Sequence, residues 1–145
     1  MVSSVDIQQV ADEIAGEFEL FEDWMGKYEH LIDLGKELPL IADQYKTEEY
    51  LVRGCQSQVW IKATATDSVI SFTADSDALI TRGLIAILLR VLNKQPARVI
   101  MNADLSFLDR IGMKEHLSPT RKNGLDAMIK QIKLYAVGIS HVEEA

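Results

Sequence analysis

The sequence predicts an α+β domain in which a small antiparallel β-sheet packs against helices. Two segments with helical hydrophobic spacing come first, an alternating segment follows, and further helical segments complete the chain. The chain has 145 residues, of which 48% are hydrophobic, and this suits one domain built around one core. We therefore expect residues 1–145 to form a single domain.

The N-terminal third is expected to form two amphipathic helices. The first covers about residues 7–18, and the second covers residues 22–38 and ends at Pro39. Glu22 and Asp23 lie where negative charge stabilises the positive end of the second helix. The apolar residues of that second helix are Trp24, Tyr28, Leu31, Ile32 and Leu38.

An alternating pattern predicts a β-hairpin in the middle of the chain. Apolar and polar residues alternate over residues 57–66 and again over residues 69–74. Asp67 and Ser68 between them are residue types that favour a tight turn. A further strand is expected just before Gly54.

The third helical segment, residues 78–93, is apolar on nearly every face, which is typical of a buried helix. Asp75, Ser76 and Asp77 precede it and are expected to provide its N-cap. Gly83 costs this helix about 1 kcal/mol relative to alanine. We therefore expect another backbone to approach closely at Gly83.

The last third is predicted to contain a connection and a long helix. The connection, residues 95–114, is short and helical or irregular, and the final helix begins with Ser118 as N-cap and Pro119 at its first position. Because Asn123 and Gly124 are unfavourable inside a helix, its start near Gly124 is the alternative. The core residues expected from the connection are Phe107, Leu108, Ile111 and Met113.

Charge and hydropathy disfavour several classes of partner. The net charge is −7, with 13 acidic residues and three lysines in residues 1–50 and 12 basic and nine acidic residues in residues 51–145. This balance disfavours non-specific nucleic-acid binding, and the acidic N-terminal third is interpreted as a solvated helix face. The N-terminus lacks a secretory signal pattern, and the longest uncharged apolar stretch, Gly83 to Leu89, is too short for a bilayer. We expect a cytoplasmic protein that binds neither nucleic acid nor membranes.

Cys55, the only cysteine, lies in the sequence GCQSQVW. One cysteine cannot form an internal disulfide, a Cys-x-x-Cys pair or a thiolate-ligated metal site, and the three histidines lack metal-site spacing. We expect no bound metal and, without a glycine-rich phosphate loop, no resident cofactor. Free cysteines are often inert and buried. However, Cys55 lies in a predicted loop beside Gly54 and Arg53, a setting that favours an accessible thiolate.

Four ordered blocks make the chain resemble the SufE family of sulfur-acceptor proteins, also called cysteine desulfuration proteins. The blocks are LIDLGKELP (Leu31 to Pro39), VRGCQSQVW (Val52 to Trp60), DSDALITRGLIA (Asp75 to Ala86) and HLSPTRKNGLDAMI (His116 to Ile129). The resemblance implies an α+β fold similar to the IscU scaffold proteins. It also implies that Cys55 accepts sulfur from the persulfide of a cysteine desulfurase, stimulates that enzyme and passes the sulfur to an iron–sulfur scaffold. The pyridoxal phosphate then belongs to the desulfurase.

Several other residues are candidates for supporting the thiol or binding a partner. Arg53 would stabilise a thiolate or persulfide anion, and Gly54 would let the loop move. Each candidate also has a plain structural interpretation, such as loop polarity or helix capping. The candidates are Arg53, Gly54, Gln56, Ser57, Asp77, His116 and Arg121.

Three interpretations of function are open at this point. The first is a sulfurtransferase-type accessory subunit whose Cys55 carries a persulfide, and its standing as an enzyme is left undecided. The second is a binding module that activates the desulfurase by contact, without carrying sulfur. The third is a one-cysteine peroxidase or redox sensor, which would form a stable sulfenic acid and need no desulfurase.

Overall fold

The computed structural model describes residues 6–144, without the side chains of Lys114, His116, Glu143 and Glu144. Over these residues the chain forms seven α-helices and a two-stranded antiparallel sheet, so the predicted α+β class is confirmed. Two single 3-10 turns, Asp43–Tyr45 and Glu48–Tyr50, precede the sheet. The elements are α1 (Ile7–Glu19), α2 (Trp24–Gly35), β1 (Val59–Thr66), β2 (Val69–Ser76), α3 (Leu79–Leu92), α4 (Ala97–Met101), α5 (Phe107–Arg110), α6 (Met113–His116) and α7 (Pro119–Glu144).

Aspartate side chains begin the first two helices. Asp6 accepts a hydrogen bond from the backbone N–H of Gln8 and caps α1, and Asp23 accepts one from Gly26 and caps α2. Helix α2 ends at Gly35, three residues before its predicted end. After Gly35 the backbone hydrogen bonds join residues three apart instead of four, as from the Lys36 N–H to the Asp33 carbonyl.

The hairpin forms as predicted. Its strands pair residue for residue over eight positions, and Asp67 and Ser68 connect them with φ values of 50° and 72°. Two successive left-handed residues match the right-handed twist of the strands. Strand β2 extends to Ser76, beyond its predicted end. The further strand expected before Gly54 is reduced to a single bridge between Leu51 and Trp60.

Helix α3 is the buried centre of the fold, as predicted, and α2 crosses it at very short range. A Cβ atom added to Gly83 would lie 2.2 Å from the carbonyl oxygen of Leu31, and one added to Gly35 would lie 3.0 Å from the Gly83 nitrogen. The expected close approach at Gly83 is confirmed. Only glycine lets the two backbones touch there.

The predicted N-cap of α3 is wrong. Asp75 and Ser76 belong to β2, where pairing with β1 fixes their backbone, and the N-cap position is Ala78, which makes no side-chain cap. The Ser76 hydroxyl accepts instead from the Ala78 N–H at 3.2 Å. Asp77 binds the backbone of Gln58 rather than the helix.

Helix α7 runs unbroken from Pro119, so the first of the two predicted starts is correct. The Ser118 hydroxyl accepts a hydrogen bond from the Arg121 N–H, and Gly124 lies buried inside the helix. Tyr135 of α7 donates a hydrogen bond to the carbonyl of Ile61 in β1 at 2.8 Å, which ties the helix to the sheet. The core residues predicted between α3 and α7, which are Phe107, Leu108, Ile111 and Met113, are all buried.

Within residues 6–144, no helix has the length and hydropathy that a membrane crossing requires.

Candidate functional site

Cys55 lies in a loop, residues 53–58, whose two ends are held by hydrogen bonds. The Val52 N–H donates to the Val59 carbonyl at 2.8 Å. At the other end, the Gln58 N–H donates to the Asp77 carboxylate at 3.1 Å, and the Asp77 N–H donates to the Gln58 carbonyl. Asp77 therefore holds the base of the loop against the end of β2. Between these anchors the loop rests on helix α7 through Gly54 and Cys55.

Gly54 brings the loop against helix α7. Its φ of 93° lies in the left-handed region that side chains disfavour. A Cβ atom at Gly54 would come within 3.3 Å of the Ala127 Cβ atom, which shows how closely the loop rests on the helix. The glycine is thus required by both the backbone conformation and the short distance to α7.

The Cys55 thiol is partly buried and contacts the same helix. Its Sγ atom lies 3.5 Å from the carbonyl oxygen of Gly124, to which the thiol donates a weak hydrogen bond. Burial raises the pKa of the Cys55 thiol above its ordinary value. At neutral pH the resting thiol is therefore protonated and less nucleophilic than a thiolate.

A surface cleft of about 380 Å³ opens beside the thiol. Buried Leu84 and Met128 contribute apolar lining, and Arg121 contributes a cationic group. Hydroxyl groups and a guanidinium can stabilise a small anion bound to the Cys55 sulfur. The remaining polar side chains that line the cleft are Gln56, Ser57, Thr81, Ser118 and Thr120.

The structure brings together only some of the residues suggested by the sequence. Gln56, Ser57 and Arg121 line the cleft with Cys55. Arg53 does not; it is exposed and lines a separate depression on the other side of the loop. The side chain of His116 lies outside the described residues.

Several cleft residues were not identified from the sequence. Ser118, Thr120 and Gly124 lie in the family-like block that contains Arg121, but nothing in the sequence placed their turn of helix beside Cys55. Thr81 left a clearer signal. It is the one uncharged polar side chain in α3, whose other polar residues are Arg82 and Arg90, and the structure shows it 7% exposed and lining the cleft.

A buried carboxylate, that of Asp75, links the elements that surround the site. Asp75 is 3% exposed and sits opposite Trp60 in the hairpin register. It accepts hydrogen bonds from Lys46 Nζ and Arg82 Nε, both at 2.8 Å. Burial by itself would raise the pKa of Asp75, but the bonds from the two cations outweigh it and hold the pKa below its ordinary value. Asp75 thus joins the segment before the loop to the hairpin and α3.

In the part of the chain that the structure describes, no three His, Cys, Asp or Glu side chains gather in a way that could hold a metal ion. The chemistry that the site offers is that of a thiol beside a polar, cationic cleft.

The fold and site thus define a small α+β protein with one sheltered thiol at a surface cleft. Residues 12–136 match the family described as SufE, the Fe-S metabolism associated domain. The chain belongs to the SufE family, which is associated with iron–sulfur metabolism, and the resemblance inferred from the four sequence blocks is confirmed.

Two relatives and one solved structure are similar to the chain. An uncharacterized SufE-like protein of Rhizobium meliloti (strain 1021) is 41% identical over 132 residues, covering 88% of this chain and 94% of its own length. Another, from Rhizobium etli, is 40% identical over 127 residues and covers 84% and 86%. The solution structure of a hypothetical protein from Thermus thermophilus has a TM-score of 0.73 at 14% identity, covering 89% of this chain and 94% of that one. At 14% identity, the likeness to this solved structure shows a shared fold and nothing more.

Proposed function

We propose that the protein is a sulfur acceptor that takes sulfane sulfur from the persulfide of a cysteine desulfurase onto Cys55. It then delivers this sulfur to a scaffold protein of iron–sulfur cluster assembly. The observation that carries the proposal is the placement of the chain's only thiol at the edge of a polar cleft that also contains Arg121. Family membership supports the link to iron–sulfur metabolism.

The transfer is a displacement at sulfur. The Cys55 thiolate attacks the outer sulfur of the donor persulfide, and a new sulfur–sulfur bond forms as the donor's bond breaks. The donor cysteine leaves as a thiolate and can take up the proton that Cys55 lost. No electrons leave the pair of proteins, so the step needs no oxidant or reductant.

The resting structure shelters the nucleophile. Because burial raises the pKa of Cys55 and the thiol contacts the Gly124 carbonyl, the free protein keeps it protonated. Donor binding would have to move the loop and detach the thiol from α7. Gly54 is the residue in the loop best suited to absorb that change.

The cleft suits the product of the transfer. A persulfide ends in a sulfur atom that is readily ionised, and Arg121 with the neighbouring hydroxyls offers charge and hydrogen bonds to it. No second cysteine exists in the chain to attack the persulfide and release hydrogen sulfide by forming an internal disulfide. The outer sulfur of the Cys55 persulfide therefore cannot be released by a second thiol of the same chain.

In this proposal the protein carries no cofactor, and the pyridoxal phosphate stays in the desulfurase. The reaction takes place in the cytoplasm. Whether the protein counts as an enzyme depends only on convention, because Cys55 ends each cycle unchanged.

Intact-protein mass spectrometry tests the proposal. The protein is incubated with a pyridoxal-phosphate-loaded cysteine desulfurase and cysteine, and any adduct is mapped to a peptide. We expect a gain of one sulfur atom on Cys55 that reductant reverses. The Cys55→Ser variant should gain none and should no longer stimulate desulfurase turnover under reducing conditions.

Two results would contradict the proposal. If Cys55→Ser stimulates turnover as well as the unchanged protein does and no adduct forms, the protein activates by contact alone. If peroxide converts Cys55 to a stable sulfenic acid while the desulfurase never modifies it, the protein is a redox sensor or peroxidase.

A further inference from the structure

The loop that carries Cys55 crosses helix α7 between two surface depressions. On one side is the cleft that contains Cys55 and Arg121. On the other is a depression lined by Arg53, Ala127, Lys130, Gln131 and Leu134. Gly54 rests on Ala127 between the two. Because Arg53, Gly54 and Cys55 are consecutive, a protein that covers the Cys55 cleft lies directly beside this second depression.

Three exposed cations surround this crossing. Arg53, Arg121 and Lys130 are all exposed, and none takes part in an ion pair among the residues that the structure describes. By contrast, Arg82 and Arg90 are held by carboxylates within the protein. Asp126, an exposed carboxylate one helical turn before Lys130, belongs to the same surface, so a partner meets two arginines and a lysine beside one aspartate.

The depression also offers an apolar contact. Leu134 is 51% exposed and lies beside Arg53 and Lys130. At an interface, apolar area such as that of Leu134 can supply affinity, and charges such as those of Arg53 and Lys130 can select the partner. The chain as a whole has a net charge of −7, so the cationic character of this surface is local.

We propose that the sulfur donor docks on this surface, the α7 rim, defined as Arg53, Arg121, Lys130 and Leu134, and presents carboxylate side chains to its three cations. The inference rests on the proposed function and adds the charge of the donor surface. Guanidinium groups pair with carboxylates through two parallel hydrogen bonds, which fixes orientation as well as contact. A polyanion such as RNA fits less well, because the remaining surface of this acidic protein would repel it.

Binding kinetics test this proposal separately from sulfur transfer. The Cys55→Ser protein, which cannot be trapped covalently, is bound to the source organism's pyridoxal-phosphate-loaded desulfurase at low and high salt. In this background Arg53 and Lys130 are changed to glutamate, singly and together. Arg121 is left intact because it lines the thiol cleft. The matched control is Arg98→Glu, an exposed arginine on α4 that makes no ion pair in the described structure.

Electrostatic steering acts mainly on the association rate. We expect Arg53→Glu with Lys130→Glu to slow association about tenfold or more at low salt, and Arg98→Glu to change it less than about twofold. High salt should slow association of the parent protein and have little effect on the double variant. When the double variant keeps Cys55 and is supplied at saturating concentration, its Cys55 should still become persulfidated.

Losses in Arg53→Glu and in Lys130→Glu no larger than the loss in Arg98→Glu would overturn the proposal, because each of these single variants reverses one charge and the effect would then follow net charge and not this surface. An unchanged association rate in the double variant would also overturn it. If desulfurase binding is unchanged while an RNA oligonucleotide binds the parent protein and not the double variant, the surface serves a nucleic acid. These outcomes concern docking alone, whereas failure of Cys55 to gain sulfur at any concentration would refute the proposed function.

Discussion

The Sγ atom of Cys55 lies 3.5 Å from the carbonyl oxygen of Gly124, so the thiol of the free protein is held against helix α7. Gly124 is a poor residue for a helix interior, yet α7 continues through it. A Cβ atom at that position would lie 3.6 Å from the sulfur. The helix thus provides both the surface and the hydrogen-bond acceptor that shelter the Cys55 thiol.

The pH dependence of Cys55 alkylation should reflect this shelter. Because burial raises the pKa of the thiol, the alkylation rate of the folded protein should rise at higher pH than that of the same protein unfolded in urea. Iodoacetamide kinetics measured across the pH range of both states will show the difference. Coinciding pH profiles would mean that the thiol is solvated like a free cysteine.

The same burial links Cys55 to stability at alkaline pH. The folded state favours the protonated thiol, so this stabilising contribution is complete below the ordinary thiol pKa of about 8.5. It is lost as pH rises from there through the higher pKa of the folded state. Urea denaturation should therefore show the unchanged protein losing stability relative to Cys55→Ser over that window. A constant difference between the two proteins across the window would contradict this.

Replacement of Gly54 by valine should slow sulfur transfer without unfolding the domain. Valine is strained at a φ of 93° and its side chain would press on Ala127, so the loop must take another path. Because the loop is local, we expect a loss of about 1–2 kcal/mol in the free energy of unfolding. Single-turnover persulfidation of Cys55 measures the transfer rate, with Gly138→Val as the control, since nothing lies within 4 Å of a Cβ atom added at Gly138. Unchanged transfer kinetics would show that loop movement does not depend on Gly54.

The contact between α2 and α3 should make Gly83 nearly irreplaceable. Alanine there would place its Cβ atom 2.2 Å from the Leu31 carbonyl oxygen, so the helices must separate. Overpacking a core typically costs about 1–3 kcal/mol or more, and backbone displacement puts this variant at the upper end. Gly138→Ala in α7 is the matched control, since nothing lies within 4 Å of its added Cβ atom. It should be neutral or more stable by up to about 1 kcal/mol.

Thermal and urea denaturation compare these two glycine variants directly. A Gly83→Ala protein as stable as Gly138→Ala would mean that the helices do not cross at the distance described.

Asp75→Asn should destabilise the protein by leaving Lys46 and Arg82 without their buried partner. Breaking a fully buried pair costs about 3–5 kcal/mol, and because both cations are partly exposed we expect about 2–3 kcal/mol. The matched control is Asp33→Asn, whose exposed pair with Lys36 should contribute little. Urea denaturation at neutral pH measures both effects.

Acid should remove the contribution of Asp75. Its pKa is lower in the folded state, so the stabilisation is complete above the ordinary aspartate pKa of about 3.9 and is lost as pH falls through the folded-state pKa. The stability difference between the parent and Asp75→Asn should therefore shrink over that range. A difference that persists at the lowest accessible pH would assign the effect to packing and not to charge.

Local patterns predicted the elements of the fold well where the pattern was strong. The alternation on both sides of Asp67 and Ser68 gave the hairpin, and the continuous apolar character of α3 gave the buried helix. The end of α2 and the N-cap of α3 were wrong. Both depend on backbone pairing that local propensity does not contain, such as the inclusion of Asp75 and Ser76 in β2.

The sequence by itself determined the fold class, the family and Cys55 as the one available thiol, because periodicity, ordered motifs and residue counts are properties of the chain alone. Only the tertiary structure decided which groups surround that thiol. It placed Arg121 in the cleft and Arg53 outside it, and it turned Asp75 from an expected helix cap into a buried ion-pair centre. These outcomes depend on how α7, α3 and the loop meet, and residues distant in sequence become neighbours only when the core packs.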